Sequence, residues 1–201
     1  MTEYGISDED GIELVKMARK IVTEHCKSNP KNNYPNFNQR FDFSSGVFVT
    51  LNKEGKLRGC IGYPMPIKKL SEGLVDAAIS AATNDPRFSP VQEIELEKIT
   101  FEVTVLSPPK EIKVNDPLDY VSRIKVGRDG LIVENRFTTG LLLPQVPIEY
   151  GWNEKEFLEF TCQKAGLDKN AWKDKKTKIS NFQGIVFAEK SPKGDIDRKR
   201  M

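Results

Sequence analysis

The sequence predicts an α+β fold built around an internal duplication, and three observations carry that prediction. Short stretches alternate apolar and polar residues around turn signals, as antiparallel hairpins do. Other stretches carry apolar residues at helical spacing, with capping residues in front of them. The order hairpin, helix, strand then occurs twice, over about residues 46–106 and 128–188 of the 201-residue chain. Helices interleaved with hairpins give an α+β protein with a mainly antiparallel sheet, not a parallel doubly wound one. The length suits a single domain spanning 1–201.

The first helix is predicted over residues 7–26 and is expected to pack on the core. Ser7 caps it, Asp10 sits in the reciprocal position of a capping box, and Leu14, Ala18, Ile21, Val22 and His25 share one stripe. Residues 28–30, Ser-Asn-Pro, end it. Residues 31–45 read as a long loop anchored by Tyr34, Phe37, Phe41 and Phe43. Residues 47–51 form a strand, 52–55 the turn, with Gly55 supplying a positive φ, and 56–63 the return strand, stopped by Pro64 and Pro66. A helix over 67–83 carries Leu70, Leu74, Ala77, Ala78 and Ala81 on its buried stripe, and residues 84–86, Asn-Asp-Pro, end it. Residues 99–106 alternate as a strand. In the second half, 128–130 is a turn, 131–134 a strand, 137–140 a turn and 141–146 the return strand, closed by Pro147. Asn153 and Glu156 form a second capping box ahead of a helix with Phe157, Phe160, Thr161 and Lys164 on one face. Gly166 follows as its C′ residue, and 183–187 is the last strand.

Composition excludes several function classes. No apolar run approaches the roughly 20 residues of a membrane span. The chain opens without a basic patch and apolar run, so no secretory signal is expected. Cys26, Cys60 and Cys162 are odd in number and widely spaced, which argues for a reducing, cytoplasmic setting without disulfides. With one histidine, His25, neither a Cys/His metal site nor a histidine-dependent triad is expected. No glycine-rich phosphate loop is present, and no cofactor is predicted. The net charge of +2 argues against a nucleic-acid partner; the basic tail over 190–201 reads first as a frayed, solvated end, with a weak nucleic-acid arm as the alternative.

Leu57-Arg58-Gly59-Cys60-Ile61-Gly62 is the most informative hexapeptide. Strand alternation puts Arg58 and Cys60 on one face, where a guanidinium would favour the reactive thiolate. Gly59 and Gly62 strip side chains from around that thiol, which marks close approach by a ligand or by another backbone. Cys60 and Arg58 are therefore candidate catalytic residues, against the alternative that Cys60 is a small buried hydrophobe and the glycines admit the alanine-rich helix. No general base is visible; Glu102 or Glu134 would have to serve. Asp85 and Arg87, in Asn84-Asp85-Pro86-Arg87-Phe88, form either an anion-binding turn or a salt-bridged one. Pro144 implies an edge or bulge in the second return strand, with Gln145 facing a cleft and Glu149 and Trp152 close behind, against the favoured alternative of a capped loop with Trp152 packed at the lobe boundary. Gly59, Gly62, Asp85, Arg87, Gln145, Glu149 and Trp152 are the candidate binding residues.

Taken together, these stretches resemble the AMMECR-domain family. The resemblance rests on Leu57 to Gly62, Asp85-Pro86-Arg87-Phe88, Val126-Gly127-Arg128-Asp129-Gly130-Leu131, Gly140-Leu141-Leu142-Leu143-Pro144-Gln145-Val146, Gly151-Trp152, Phe157-Leu158 and Cys162-Gln163-Lys164-Ala165-Gly166-Leu167, with Trp172 downstream. It spans about residues 12–187, with Ser89 standing where the family often has a second proline. It implies two unequal lobes with the hexapeptide near a groove between them, and an undefined biochemical role. It also implies an association with Memo-type or radical-SAM-type proteins. Three functions follow as expectations: an enzyme or enzyme subunit acting on a small or peptidic substrate near Cys60, a protein-binding adaptor using the 34–43 aromatics, and a nucleic-acid-associated protein of transcription or translation.

Overall fold

A computed structural model describes residues 6–27, 37 and 39–199. The predicted terminator 28–30, Tyr34 and Pro35 of the aromatic loop, and the last two residues of the tail lie outside them. The chain divides into two compact units, one comprising Met1–Leu106 with Ile185–Arg200 and the other Ser107–Gly184.

The first unit holds a five-stranded sheet in the order β2-β1-β3-β8-β9. Its strands are β1 (Val47–Lys53), β2 (Lys56–Tyr63), β3 (Ile99–Leu106), β8 (Gly184–Glu189) and β9 (Ile196–Lys199). Helix α1 (Asp8–His25) begins with the predicted capping box: the Asp10 amide donates to Ser7 Oγ, and the Ser7 amide donates to Asp10. Its Leu14, Ala18, Ile21 and Val22 are buried in the same core as Val47, Val49 and Leu51 of β1, while His25 is half-buried. Helix α2 (Leu70–Thr83) buries the predicted Leu70, Leu74, Ala77, Ala78 and Ala81 against that sheet. It starts three residues later than its apolar pattern suggests. The Leu70 amide donates to Phe43 O at 2.8 Å and Lys69 bridges Ser44, so residues 67–69 serve an extended connection and Ile67 is exposed. Of the aromatic loop, Phe41 is buried with Phe37 edge-on at 6.5 Å, and Phe43 lies at the surface.

Far from fraying, residues 196–199 pair with β8 as β9, and Lys190, Lys193 and Lys199 bind Asp197, Glu97 and Glu102.

The second unit holds a four-stranded sheet in the order β4-β7-β5-β6. Its strands are β4 (Lys110–Glu111), β5 (Gly130–Asn135), β6 (Thr138–Leu142) and β7 (Lys178–Phe182), with a short helix α3 (Tyr120–Arg123) before β5. Residues 141–146 are not a strand. β6 ends at Leu142, and Pro144, at φ −58° and ψ −30°, opens helix α4 (Gln145–Tyr150). Pro144 therefore marks a helix start and not a bulge, and Pro147 falls in the first turn, where its missing N–H costs nothing. Helix α5 (Glu154–Lys164) has the predicted Asn153–Glu156 capping box and Gly166 at φ +73°. Its buried face is Phe157, Leu158, Thr161 and Cys162; Phe160 and Lys164 face solvent. The strand read at 183–187 is β8, which belongs to the first sheet. The strand after the second helix pattern is β7, beside β5.

In both units the first strand of the hairpin is central. β1 pairs antiparallel with β2 and β3, and β5 pairs antiparallel with β6 and β7. No helix among the described residues is long and apolar enough to cross a membrane.

Candidate functional site

The hexapeptide lies on β2, at the edge of the five-stranded sheet. Register fixes which way its side chains go. Leu51 faces Gly59 and Asn52 faces Leu57, so Arg58 is an extra residue, a β-bulge. The bulge re-aims Arg58. Its Nε and Nη2 bind Glu95 at 3.1 and 3.0 Å, and its Nη1 donates to Ser89 O at 2.9 Å. Lys53 Nζ reaches the same carboxylate at 2.9 Å. The Arg58 guanidinium holds Glu95 down to about 2. Arg58 is thus committed to the Glu93–Lys98 turn and is not the partner of the Cys60 thiol, which corrects the pairing that strand alternation suggests.

Cys60 is half-buried and sits in a cross-strand row: it faces Thr50 on β1, and Thr50 faces Glu102 on β3. Thr50 Oγ1 donates to Cys60 Sγ at 3.3 Å. Burial pushes the thiol up from its ordinary value, and Glu102 and Asp85 add to that; the Thr50 hydroxyl and the Arg87 charge act the other way. The net direction is away from the thiolate. Glu102, one of the two carboxylates offered as a base, does share the face of Cys60, two strands away, and it also binds Lys199 at 2.5 Å.

The glycines are filled by protein. A Cβ at Gly59 would lie 3.1 Å from the Ala81 carbonyl carbon and closer still to its oxygen, so this glycine admits helix α2. A Cβ at Gly62 would collide with Val47 O and the Phe48 ring. On the side where a Cβ would stand, protein fills the space at both glycines, which favours the packing alternative for them.

Asp85 and Arg87 do meet Cys60. Asp85 is buried, and its carboxylate accepts from the Cys60 amide at 2.9 Å, the Arg87 amide at 3.1 Å, and Arg87 Nε and Nη2 at 2.9 and 2.7 Å. Arg87 Nη2 also donates to Cys60 O at 3.4 Å. The Asp85–Arg87 turn therefore takes up the N–H and C=O that an edge strand would otherwise expose. The Arg87 guanidinium holds the Asp85 carboxyl well below the usual carboxylate range. Arg87 itself is 53% exposed at its side chain, and Phe88 lies within 5.9 Å of the Arg58 guanidinium and 5.5 Å of that of Arg87. Lys53, Arg58, Arg87, Phe88, Gln92 and Glu95 line an open cleft of ≈ 570 Å³.

Gln145, Glu149 and Trp152 belong to the second unit. Gln145 and Glu149 are exposed on α4. Trp152 is half-buried and stacks on Tyr150 at 4.9 Å and Phe160 at 3.9 Å. Gln145 opens a helix and does not line a strand cleft.

Thr50, Phe88 and Glu95 were not singled out from sequence. Thr50 and Phe88 become legible only through register and loop path, whereas Glu95 carries a local signal, the Gln92–Glu95 capping pattern. Among the described residues no group of His, Cys, Asp and Glu could hold a metal ion.

Comparison with known proteins agrees with the motif order. The AMMECR1 family model matches residues 15–187. A protein of Methanothermobacter thermautotrophicus is 50% identical over 189 residues, covering 92% of this chain and 96% of its own. Protein MK0488 of Methanopyrus kandleri is 48% identical, covering 94% and 92%. The crystal structure of the uncharacterized protein PH0010 from Pyrococcus horikoshii superimposes with a TM-score of 0.79 at 45% identity, covering 98% of this chain and all of that one. The bulged edge strand and the turn that clamps it are thus carried by a chain that belongs to the AMMECR1 family.

Proposed function

We propose that this protein works by binding: it takes a small or peptidic ligand bearing a carboxylate in the cleft beside β2, at the Arg87 side chain that is clamped to the backbone of Cys60. The observation that carries this reading is Arg87. Asp85 grips its Nε and Nη2, so the guanidinium is preset, while Nη1 has no hydrogen bond among the described residues and the side chain stays exposed. With Nε and Nη2 taken up by Asp85 and Cys60 O, the guanidinium is held in place and presents Nη1 to a carboxylate at little entropic cost. Phe88 offers an apolar surface next to it, and the negative charge of Glu95 is already matched by Arg58 and Lys53. A Memo-type or radical-SAM-type partner, the association implied by family resemblance, would supply such a ligand as a peptide segment.

The enzyme reading rests on one observation, the Cys60–Thr50–Glu102 row, and it requires a thiol that ionises easily. The alkylation rate of native Cys60 with iodoacetamide against pH, with Cys60→Ser as background, separates the two. Binding predicts an apparent pKa above the free-thiol value of about 8.5; a value well below it sinks the binding reading in favour of thiol chemistry. In parallel, calorimetry with acetylated acidic tripeptides should give binding to the native protein and none to Arg87→Gln.

A further inference from the structure

The whole-chain charge of +2 conceals a local asymmetry. The tail cations, the obvious basic segment in sequence, are held in ion pairs within the first unit. One end of the four-stranded sheet is different. The Ile112 amide donates to Ile179 O at 2.8 Å, which brings Lys113 beside the start of β7. Glu134 faces Lys178, and Asn135 Nδ2 donates to Thr177 Oγ1 at 2.9 Å, which brings the β5–β6 hairpin tip to the same end. Lys113, Arg136, Lys175, Lys176 and Lys178 are all exposed there, and none of the five has an ion pair among the described residues. Glu111, Glu134 and Asp174 share this end, and Asp174 is turned back to the Lys176 amide at 2.9 Å. Lys113, Lys175 and Lys178 outnumber Glu111 and Asp174 around an open cleft of ≈ 510 Å³ that has Tyr120 in its wall.

The hairpin tip adds an independent feature. Arg136 takes φ +49°, a left-handed conformation that a glycine or asparagine would adopt more cheaply, and the next residue, Phe137, is 97% exposed. A fully exposed phenylalanine contributes nothing to folding, and here it sits next to Arg136 at the tip of the β5–β6 hairpin, at the same end of the sheet as Lys178. We propose that this end of the second unit binds single-stranded nucleic acid, with Lys113, Lys175 and Lys178 on the phosphates and Phe137 stacking on a base. Charge sets the occupant's sign, and the lone exposed ring sets its kind. A sequence-tolerant single-strand site combines a cationic track with an aromatic platform, whereas a duplex keeps its bases stacked away from such a ring.

The test is fluorescence anisotropy of a labelled 12-nucleotide oligo(U), its DNA counterpart oligo(T) and a duplex of the same length, at 50 and 200 mM KCl. For about four phosphates neutralised, the single-strand salt slope of roughly −0.7 per phosphate predicts affinity about 50-fold weaker at the higher salt. Lys113→Gln combined with Lys175→Gln and Lys178→Gln should lose most of the binding and flatten that salt dependence. Phe137→Ala should weaken binding about 10-fold and leave the salt slope in place, because stacking releases no counterions. Lys190→Gln with Lys193→Gln, in the ion-paired tail, should bind like the native protein. All these side chains are exposed, and circular dichroism melting of each variant verifies its fold. The proposal is overturned if the triple variant or Phe137→Ala binds as tightly as the native protein, if the tail variant loses binding, or if the duplex binds as well as the single strands.

Discussion

Gly59→Ala is the perturbation that separates a glycine kept for packing from one kept for a ligand. The added Cβ would stand 3.1 Å from the Ala81 carbonyl carbon and nearer its oxygen. Both are helix backbone, so no side chain can rotate away; the end of α2 must retreat by about 1.4 Å to restore an ordinary contact near 3.5 Å. That retreat also pulls on Asp85, which follows the helix directly and holds the Cys60 amide. Overpacking costs about 1–3 kcal/mol, and the backbone obstacle puts this site near 3. For a chain of this length that is a melting temperature roughly 6–12 °C lower. Gly55→Ala is the matched comparison: nothing lies within 4 Å of its Cβ, so only the φ of +77° opposes it, at a cost of about 1 kcal/mol. Thermal melts of the two variants side by side are the assay. A Gly59→Ala protein that melts with the native one refutes the packing argument and favours a ligand contact at Gly59.

Asp85→Ala should cost about 1–3 kcal/mol, since it leaves Arg87 and the Cys60 amide without their acceptor; amide exchange at Cys60 should accelerate, while that of Val49, in the sheet interior, should not. Glu95→Gln tests a pH dependence. The Glu95 carboxyl is depressed from 4.5 to about 2 when folded, so its contribution is complete above pH 4.5 and is lost as pH falls through 2. Melting temperatures of Glu95→Gln and the native protein should therefore differ at pH 6 and converge near pH 2; a gap that stays constant across this range would rule out the ion pair as its source. Arg58→Lys should destabilise while leaving the alkylation rate of Cys60 unchanged, because its guanidinium serves Glu95 and Ser89 O and not the thiol.

The sequence is legible where one element decides the local structure. The Ser7–Asp10 and Asn153–Glu156 capping boxes, the α2 alanine stripe and β3 all depend on residues a few positions apart, and all stand in the structure. The misreadings share a cause: a neighbour distant in sequence overrides the local pattern. Residues 67–69 read as helix until Phe43 O and Ser44 claim the strand-like connection. Leu141, Leu142 and Leu143 read as a strand running into Pro147, yet Pro144 has the backbone of a helix start, and φ near −60° is common to both. The tail reads as solvated because its carboxylate partners Glu97 and Glu102 lie about 100 residues upstream.

The candidate site shows the same limit in sharper form. Alternation makes Arg58 and Cys60 neighbours on one face, and that inference fails through one extra residue, which no composition or period announces. What the hexapeptide encodes instead has a counterpart in the second unit. There a Cβ at Gly140, on the return strand β6, would stand 2.7 Å from Thr161 O and 2.8 Å from Ala165 Cα of helix α5. Gly59 on β2 and Gly140 on β6 thus play comparable parts: each strips the return strand of a side chain so that the C-terminal end of a later helix, α2 or α5, can rest on it backbone to backbone. Each unit also buries one aspartate beside an arginine, Asp85 with Arg87 and Asp129 with Arg128, and each aspartate accepts a backbone amide, from Cys60 and from Lys125 respectively. Packing accounts for the glycines and the aspartates in both units. It does not account for the exposed edge of Arg87 or for Phe137, which stabilise nothing in the fold and are therefore where function has to be sought.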